Sequence, residues 1–435
     1  MNCVKTQGRR RGAAMVAGLL GSVLLLAPAS AQSGPSGPVS RPVVDENGVL
    51  TLDAAIRRAL SASPLTAVST ARREALEASR DAAGLKPQPT VEVMAENFGL
   101  PMGDLYDQFQ ITGTYSHRIE RGGKRRARVD LASRDIDVVE AEALVARLDL
   151  IKLVQDGFVE AQAEEAKVAV ARERLRVAGE LRREVGRRVA SAKDPIFAGT
   201  RAQTGVSEAE ADLILAIHAR DAALKRLAIF WGGTPARSIA DAGRFLDVTP
   251  VPGAGPSPAD LAVFEARKAR ALSSVELQRA SAARDLTVSA GPRILASGGV
   301  GAVAGVALPL GGRRLGQAKV AEARAEGRRI DAELAVERFN RDRAIALAVE
   351  NVEESRHEVE LIREDVLANA EKTLDQVRLG YNRGFFSFAD VSAAQLTLVN
   401  ARARIIDAAE RYHRAKAELD RLTGRFTDLV REATQ

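Results

Sequence analysis

Between residues 311 and 424 the apolar positions recur at helical steps. Val352, Val359 and Val366 stand seven apart with Ile362 between them, and Leu374, Val377 and Tyr381 continue at steps of three and four. That spacing is a coiled-coil seam. Charged residues such as Arg356, Glu358, Glu360, Arg363 and Glu364 fill the other faces, as a solvated surface with intrahelical pairs requires. The segment opens at Gly311-Gly312-Arg313-Arg314, runs about 68 residues without a proline to Leu379, breaks over residues 381–390 and returns to Leu422-Thr423-Gly424. The pattern predicts one helical hairpin whose outgoing arm, at 1.5 Å per residue, is roughly 100 Å long. Few globular domains hold such a helix.

A second period appears upstream. Phe109, Ile111, Gly113, Tyr115 and His117 alternate with Gln108, Gln110, Thr112, Thr114 and Ser116. Strict period two over about ten residues fits a strand crossing an outer membrane, apolar outside and wet inside. Val91, Val93 and Ala95, alternating with Glu92, Met94 and Glu96, are its expected partner, joined through residues 99–107. A second pair, residues 286–295 and 300–308, is blurred by Gly and Ala and rests on the duplication described next. Four strands cannot close a barrel, and open edges are not tolerated in lipid, so several chains must share one. Two copies would give eight strands with a plugged interior; three would give twelve and an open lumen. A small soluble sheet capping a coiled coil is the plainer alternative.

Ser63-Pro64 and Ser257-Pro258 both suit a capped helix start, Gly122-Gly123-Lys124-Arg125-Arg126 parallels Gly311-Gly312-Arg313-Arg314, and Trp231-Gly232 parallels Thr423-Gly424. The chain is thus expected to be a tandem duplication. The first repeat spans 49–248, with a helix, a β-hairpin at 90–119 and a long helical hairpin at 124–232. A Pro- and Gly-rich linker follows at 249–257. The second repeat spans 258–424, with its β-hairpin at 286–308 and its helical hairpin at 313–424, and residues 425–435 form a tail. The fold class is mainly α with a small β part: a coiled-coil helical barrel joined to a transmembrane β-barrel closed by a homotrimer.

Residues 1–31 combine Lys5, Arg9, Arg10 and Arg11 with an apolar run and Ala29-Ser30-Ala31, the form of a secretory signal peptide; a flexible leader follows at 32–48. Loss of those four basic residues takes the formal charge from +6 to about +2, so no basic nucleic-acid surface is expected. The single cysteine, Cys3, leaves with them, and no disulfide or thiol chemistry is expected.

Together these features resemble the TolC-type outer-membrane efflux channels over residues 49–424. The local carriers are Tyr381-x-x-Gly384-x-x-Ser387-x-x-Asp390 followed by Ala394-Gln395-Leu396, and the closing Ala417-Glu418-Leu419-x-x-Leu422-Thr423-Gly424. Glu96-Asn97-Phe98-Gly99 after a Pro-x-Pro-x-Val-x-Val run, with Arg118-Ile119-Glu120-Arg121-Gly122-Gly123-Lys124-Arg125, is similar to the CzcC-like heavy-metal efflux branch. The resemblance implies a homotrimer in outer-membrane lipid with a periplasmic tunnel, a periplasmic membrane-fusion adaptor at the helix tips, and an inner-membrane efflux pump of the resistance-nodulation-division type. Export of drugs or proteins, and a periplasmic scaffold without a pore, remain the alternatives. The first tip departs from the family pattern, with Lys193-Asp194-Pro195-Ile196-Phe197 in place of the usual Gly and Ser.

No enzyme chemistry is expected. His117, His218, His357 and His413 are scattered, no phosphate-cradling loop follows a strand, and Glu353 with His357 makes only an i,i+4 pair, so neither a catalytic site, a cofactor nor a metal centre is assigned. Attention falls on the tips. Gly384 is expected in a left-handed or crowded position, with Phe385, Phe386 and Ser387 beside it as the adaptor contact. Asp390 sits where a carboxylate suits a helix start, and the resemblance implies an acidic entrance ring there; Asp194 and Arg383, or Arg378 in its place, together with Tyr381, would hold the mouth shut.

Overall fold

The computed structural model describes residues 49–97, 109–251, 255–295 and 297–432, all within one unit, Val43–Gln435. The expected signal peptide, the leader and the connection through residues 99–107 lie outside the described residues. The chain begins with β1 (Val49–Leu50), then α1 (Leu52–Ala62), where the Thr51 side chain accepts a hydrogen bond from Ala54 N at 3.2 Å. Ser63 ends α1 and caps α2 (Pro64–Ala83), with proline in the first turn where its missing N–H costs nothing. Strands β2 (Thr90–Glu96) and β3 (Gln110–Ile119) lead to α3 (Lys124–Ala190), 67 residues and about 100 Å of helix. It returns as α4 (Ile196–Ile229).

A short β4 (Ser238–Ile239) pairs in parallel with β1. Next come α5 (Pro258–Ser281), β5 (Leu286–Leu295), β6 (Val300–Ala307) and α6 (Arg313–Leu361). The outgoing arm is not one uninterrupted α-helix. A π-helical turn, Ile362–Leu367, separates α6 from α7 (Ala368–Arg383) before α8 (Phe388–Thr423) returns. The extra residue of a π turn rotates everything beyond it. Val366, expected on the seam, is therefore 39% exposed, and Leu367 packs inward in its place. Ile345, Val352, Val359, Leu367, Leu374 and Tyr381 form the observed seam: steps of seven, one step of eight, then seven again. Residues beyond Gly424 add a short helix, α9 (Thr427–Glu432), whose Val430 is buried against α1 and α3 in the same cluster that Trp231 borders.

The four longer strands form one antiparallel sheet in the order β2-β3-β5-β6. Its register places Val91, Val93, Ala95, Ile111, Tyr115, Val288, Ala290, Ile294, Val300 and Val306 on one face. Glu92, Glu96, Thr112, Ser116, Ser289 and Arg293 occupy the other, where Arg293 donates to the Thr112 hydroxyl at 3.1 Å. Pairing of β3 with β5 joins the two hairpins into a single sheet. Gly291 lies against the backbone of Gly113 with no room for a side chain, and Pro292 follows it, which explains the faint alternation of β5.

Where sheet becomes helix, Gly122, Gly123, Gly311 and Gly312 all have positive φ. A Cβ on Gly122 would lie 2.4 Å from that of Ala283, so α5 ends directly on this bend. The buried Asp285 crosses the same joint. It accepts from Arg118 at 2.6 and 2.9 Å, from Lys124 at 2.8 Å and from the Arg121 backbone N–H at 3.2 Å. Burial opposes ionisation of Asp285, but these four donors outweigh it and pull the carboxyl down to about 2. At the far end of α8, Arg421 binds the buried Asp260 at 2.8 and 3.0 Å and Asp149 at 2.6 Å, tying α8 to α5 and α3.

A carboxylate whose pKa is depressed on folding stabilises above its unfolded value and loses that contribution as pH falls through the folded one. We therefore expect Asp285→Asn to cost about 2 kcal/mol at neutral pH. In denaturation of the detergent-solubilised protein, the gap to wild type should narrow steadily between pH 4 and pH 2. A gap independent of pH would assign the loss to packing alone.

Candidate channel entrance at the helix tips

Both long hairpins turn by the same device. At the second tip Gly384 has φ +86°; its N–H donates to Tyr381 O at 3.0 Å and that of Phe385 to Gly380 O at 2.8 Å. This is the Schellman closure, which needs a left-handed residue. Nothing lies near a Cβ on Gly384, so the position is left-handed and uncrowded. The crowded glycine is Gly380, where a Cβ would fall 2.1 Å from the Phe386 ring. At the first tip Ala192 takes the left-handed place at φ +50°, with Ala192 N to Val189 O at 3.0 Å and Lys193 N to Arg188 O at 2.8 Å. Alanine there accepts roughly 1 kcal/mol of strain that glycine avoids.

That closure brings residues six apart face to face. At the second tip the pair is Gly380 and Phe386, an aromatic ring lying over a glycine. At the first it is Arg188 and Asp194, a bidentate ion pair at 2.9 and 3.2 Å. Arg188 also donates to the Tyr381 carbonyl at 2.9 Å and lies 4.4 Å over its ring, while the Tyr381 hydroxyl donates to Asp194. Tyr381 is 1% exposed. Three side chains thus bind the first tip to the end of α7. The hydrogen bonds from Arg188, and then that from Tyr381, hold the Asp194 carboxyl below the usual carboxylate range against the opposing effect of burial. Burial, followed by its bond to Asp194, pushes the Tyr381 phenol up.

Of the sequence-derived gate residues, Asp194 and Tyr381 come together. Arg383 does not join them; it is exposed at the end of α7. Arg378 lines a cleft between the two hairpins with Glu371, Asp375 and Arg402. Arg188 joins Asp194 and Tyr381 instead, and its signal in the sequence is the six-residue spacing to Asp194 across a helix end. Asp390 closes a capping box on α8: its Oδ2 accepts from the Ser387 N–H at 2.8 Å and hydroxyl at 2.7 Å, and its own N–H donates to Ser387 Oγ at 3.3 Å. Those bonds from Ser387 hold the exposed Asp390 carboxyl below its ordinary value. Phe385 is 78% exposed, Phe386 is half-exposed over Gly380, and Phe388 packs inward. Ile196 and Phe197 add an apolar patch at the first tip. Glu353 is engaged by Arg356 at 2.8 Å, one turn from His357.

Comparison with known proteins agrees with this architecture. The chain is 27% identical over 389 residues to the cobalt-zinc-cadmium resistance protein CzcC of Cupriavidus metallidurans, covering 87% of this chain and 91% of that one. It is 27% identical over 181 residues to the nickel-cobalt-cadmium resistance protein NccC of Alcaligenes xylosoxydans xylosoxydans, 42% of this chain and 41% of that one. Among solved structures, CusC superposes with a TM-score of 0.67 at 16% identity, covering 85% of this chain and 91% of its own. The outer membrane protein VceC of Vibrio cholerae gives 0.63 at 20% identity, covering 86% and 96%. The sequence profile described as outer membrane efflux protein matches twice, over residues 55–233 and 257–425. With most of its length matched in these two segments, the chain belongs to the outer membrane efflux protein family.

Proposed function

We propose that this protein is the passive exit duct of a tripartite system that expels heavy-metal cations, assembled as a homotrimer with a twelve-stranded barrel. The observation that carries the reading is the sheet: one face apolar across all four strands, both outer strands without a further partner strand among the described residues, and helices about 100 Å long leading away from it. Unpaired strand edges in hydrocarbon leave backbone groups unsatisfied, and β2 of one copy meeting β6 of the next removes both edges. With β2 and β6 paired in this way, Glu92, Glu96 and Arg293 line a wet interior. The likeness to CzcC and NccC supports divalent cations as cargo.

In this reading the tips are the periplasmic entrance. Ile196, Phe197, Phe385 and Phe386 present apolar surface to a membrane-fusion adaptor, and a resistance-nodulation-division pump supplies the energy. Arg188, Asp194 and Tyr381 hold the first tip against the second and keep the entrance closed until the adaptor draws them apart. Because the Asp194 carboxyl is depressed, the contact survives mild acid and weakens only as pH drops through that lowered value. The entrance therefore opens by docking. Asp390, repeated by symmetry, places three carboxylates at the mouth, attracting cations and repelling anions. A duct of this kind holds ions weakly and catalyses nothing.

Four measurements check this. Native mass spectrometry in detergent should return a trimer, and deletion of the gene should lower tolerance to cobalt, zinc or cadmium while leaving drug tolerance intact; a monomer, or drug sensitivity alone, would overturn the assignment. In planar bilayers Tyr381→Phe with Arg188→Ala should raise conductance at least severalfold, since truncating a largely buried ion pair costs about 3 kcal/mol; unchanged conductance places the gate elsewhere. Asp390→Asn should shift the reversal potential under a salt gradient toward lower cation preference without altering trimer content. An unmoved potential would leave Asp390 as a helix cap.

A further inference from the structure

Positive charge is concentrated where the sheet gives way to the helices. Residues 118–128, 279–286 and 311–317 together carry ten basic and two acidic side chains, although residues 49–435 as a whole have a net charge of only +3. The rest of that length is net negative. Part of this belt is neutralised within the chain: Asp285 takes Arg118 and Lys124, and Glu120 takes Arg128. Another part is free. A groove between the end of α5 and the first turns of α6 is lined by Arg279, Arg284, Arg313 and Arg324, with Ala282 and Val320 as its apolar floor and no carboxylate in its walls. Arg279 pairs with Glu276. Arg284, Arg313 and Arg324 are exposed, and among the described residues they make no ion pair.

The surroundings identify what would neutralise them. Along the chain the groove adjoins the apolar face of the sheet: Arg284 stands four residues before Val288, and Leu310, 86% exposed, lies between Val306 and Arg313. A groove lined by guanidinium groups and by Ala282, Val320 and Ala321, next in the chain to strands with one apolar face, suits a phospholipid at the membrane surface: phosphate against guanidinium, acyl chain against the apolar face. A neighbouring copy fits poorly. The edge it would bring is that of α2 and β2, and α2 holds three basic and three acidic residues, so it offers no excess of negative charge.

We propose that Arg284, Arg313 and Arg324 form a phosphate-binding site for anionic phospholipid headgroups of the periplasmic leaflet, fixing the depth at which the barrel sits. The proposal rests on the lipid-embedded reading given above. The test uses the full-length protein in nanodiscs of phosphatidylcholine alone and of phosphatidylcholine with phosphatidylglycerol. Native mass spectrometry of the ejected protein should show phosphatidylglycerol enriched over its share of the disc. Arg284→Gln, Arg313→Gln and Arg324→Gln should lower that enrichment about fivefold for each arginine removed, while the corresponding lysine variants retain it. Equal enrichment in wild type and the triple glutamine variant would overturn the proposal with the barrel reading untouched. Displacement of the lipid by inorganic phosphate would make this a soluble-anion site, and loss of the trimer in the glutamine variant would make it a contact between copies; either overturns it. Failure to enter both kinds of disc would overturn the lipid-embedded reading and this site with it.

Discussion

Asp285 holds the transition on which both halves of this chain depend. Strands pair at right angles to their length, whereas a helix satisfies its backbone internally, so a chain passing from one to the other must turn sharply without leaving buried groups unpaired. Here Gly122 and Gly123 turn the backbone through left-handed φ, and Asp285 collects the charges that the turn gathers: Arg118 from the strand, Lys124 from the helix and the Arg121 N–H between them. Because Asp285 belongs to the second repeat and its donors to the first, the same contact fastens the two repeats together. The equivalent bend at Gly311 and Gly312 has open space around both glycines, and among the described residues Arg313 makes no ion pair. One joint is welded by a buried carboxylate, and the other is not.

The helices below that joint show how an apolar seam tolerates a change of pitch. From Ile345 to Val359, and again from Leu367 to Tyr381, the second outgoing arm keeps the seven-residue step, which holds a left-handed seam against α8. The π turn at Ile362–Leu367 inserts one residue and resets the register, so that Leu374 and Tyr381 face inward beyond it. Without the insertion Tyr381 would rotate off the seam, and its hydroxyl would leave Asp194. The irregular turn lies about 14 residues, or roughly 20 Å, from the contact it makes possible.

Much of the fold was legible because its signals are periodic. Alternation through Thr112, Thr114 and Ser116 marks β3, and Ser63-Pro64 marks the break between α1 and α2. The π turn was not legible, since Val359 and Val366 continue a heptad that the backbone abandons; periodicity cannot report a residue rotated off its own pattern. β5 was faint because Gly291 and Pro292 serve a close approach of backbones and not a face. At the tips, Gly384 and Asp390 could be placed from turn and capping chemistry. The partner of Asp194 could not. Charge alone offered Arg383 and Arg378, whereas Arg188 is chosen by a helix closure that brings residues six apart together, and only the positive φ of Ala192, which its sequence does not advertise, makes that closure possible.

The two tips solve one geometric problem with different chemistry, and that difference has a mechanical consequence. At the second, Phe386 covers Gly380 through an apolar contact that water does not weaken and that needs no partner on another helix. At the first, Arg188 and Asp194 occupy the corresponding places and reach beyond their own turn to Tyr381. A polar closure of this sort is directional: its strength depends on two oxygens and a guanidinium staying in line, and it falls away over about 1 Å of displacement. An apolar contact would instead slide. The first tip is therefore closed by a contact that is strong only in line, and the second by one that tolerates sliding.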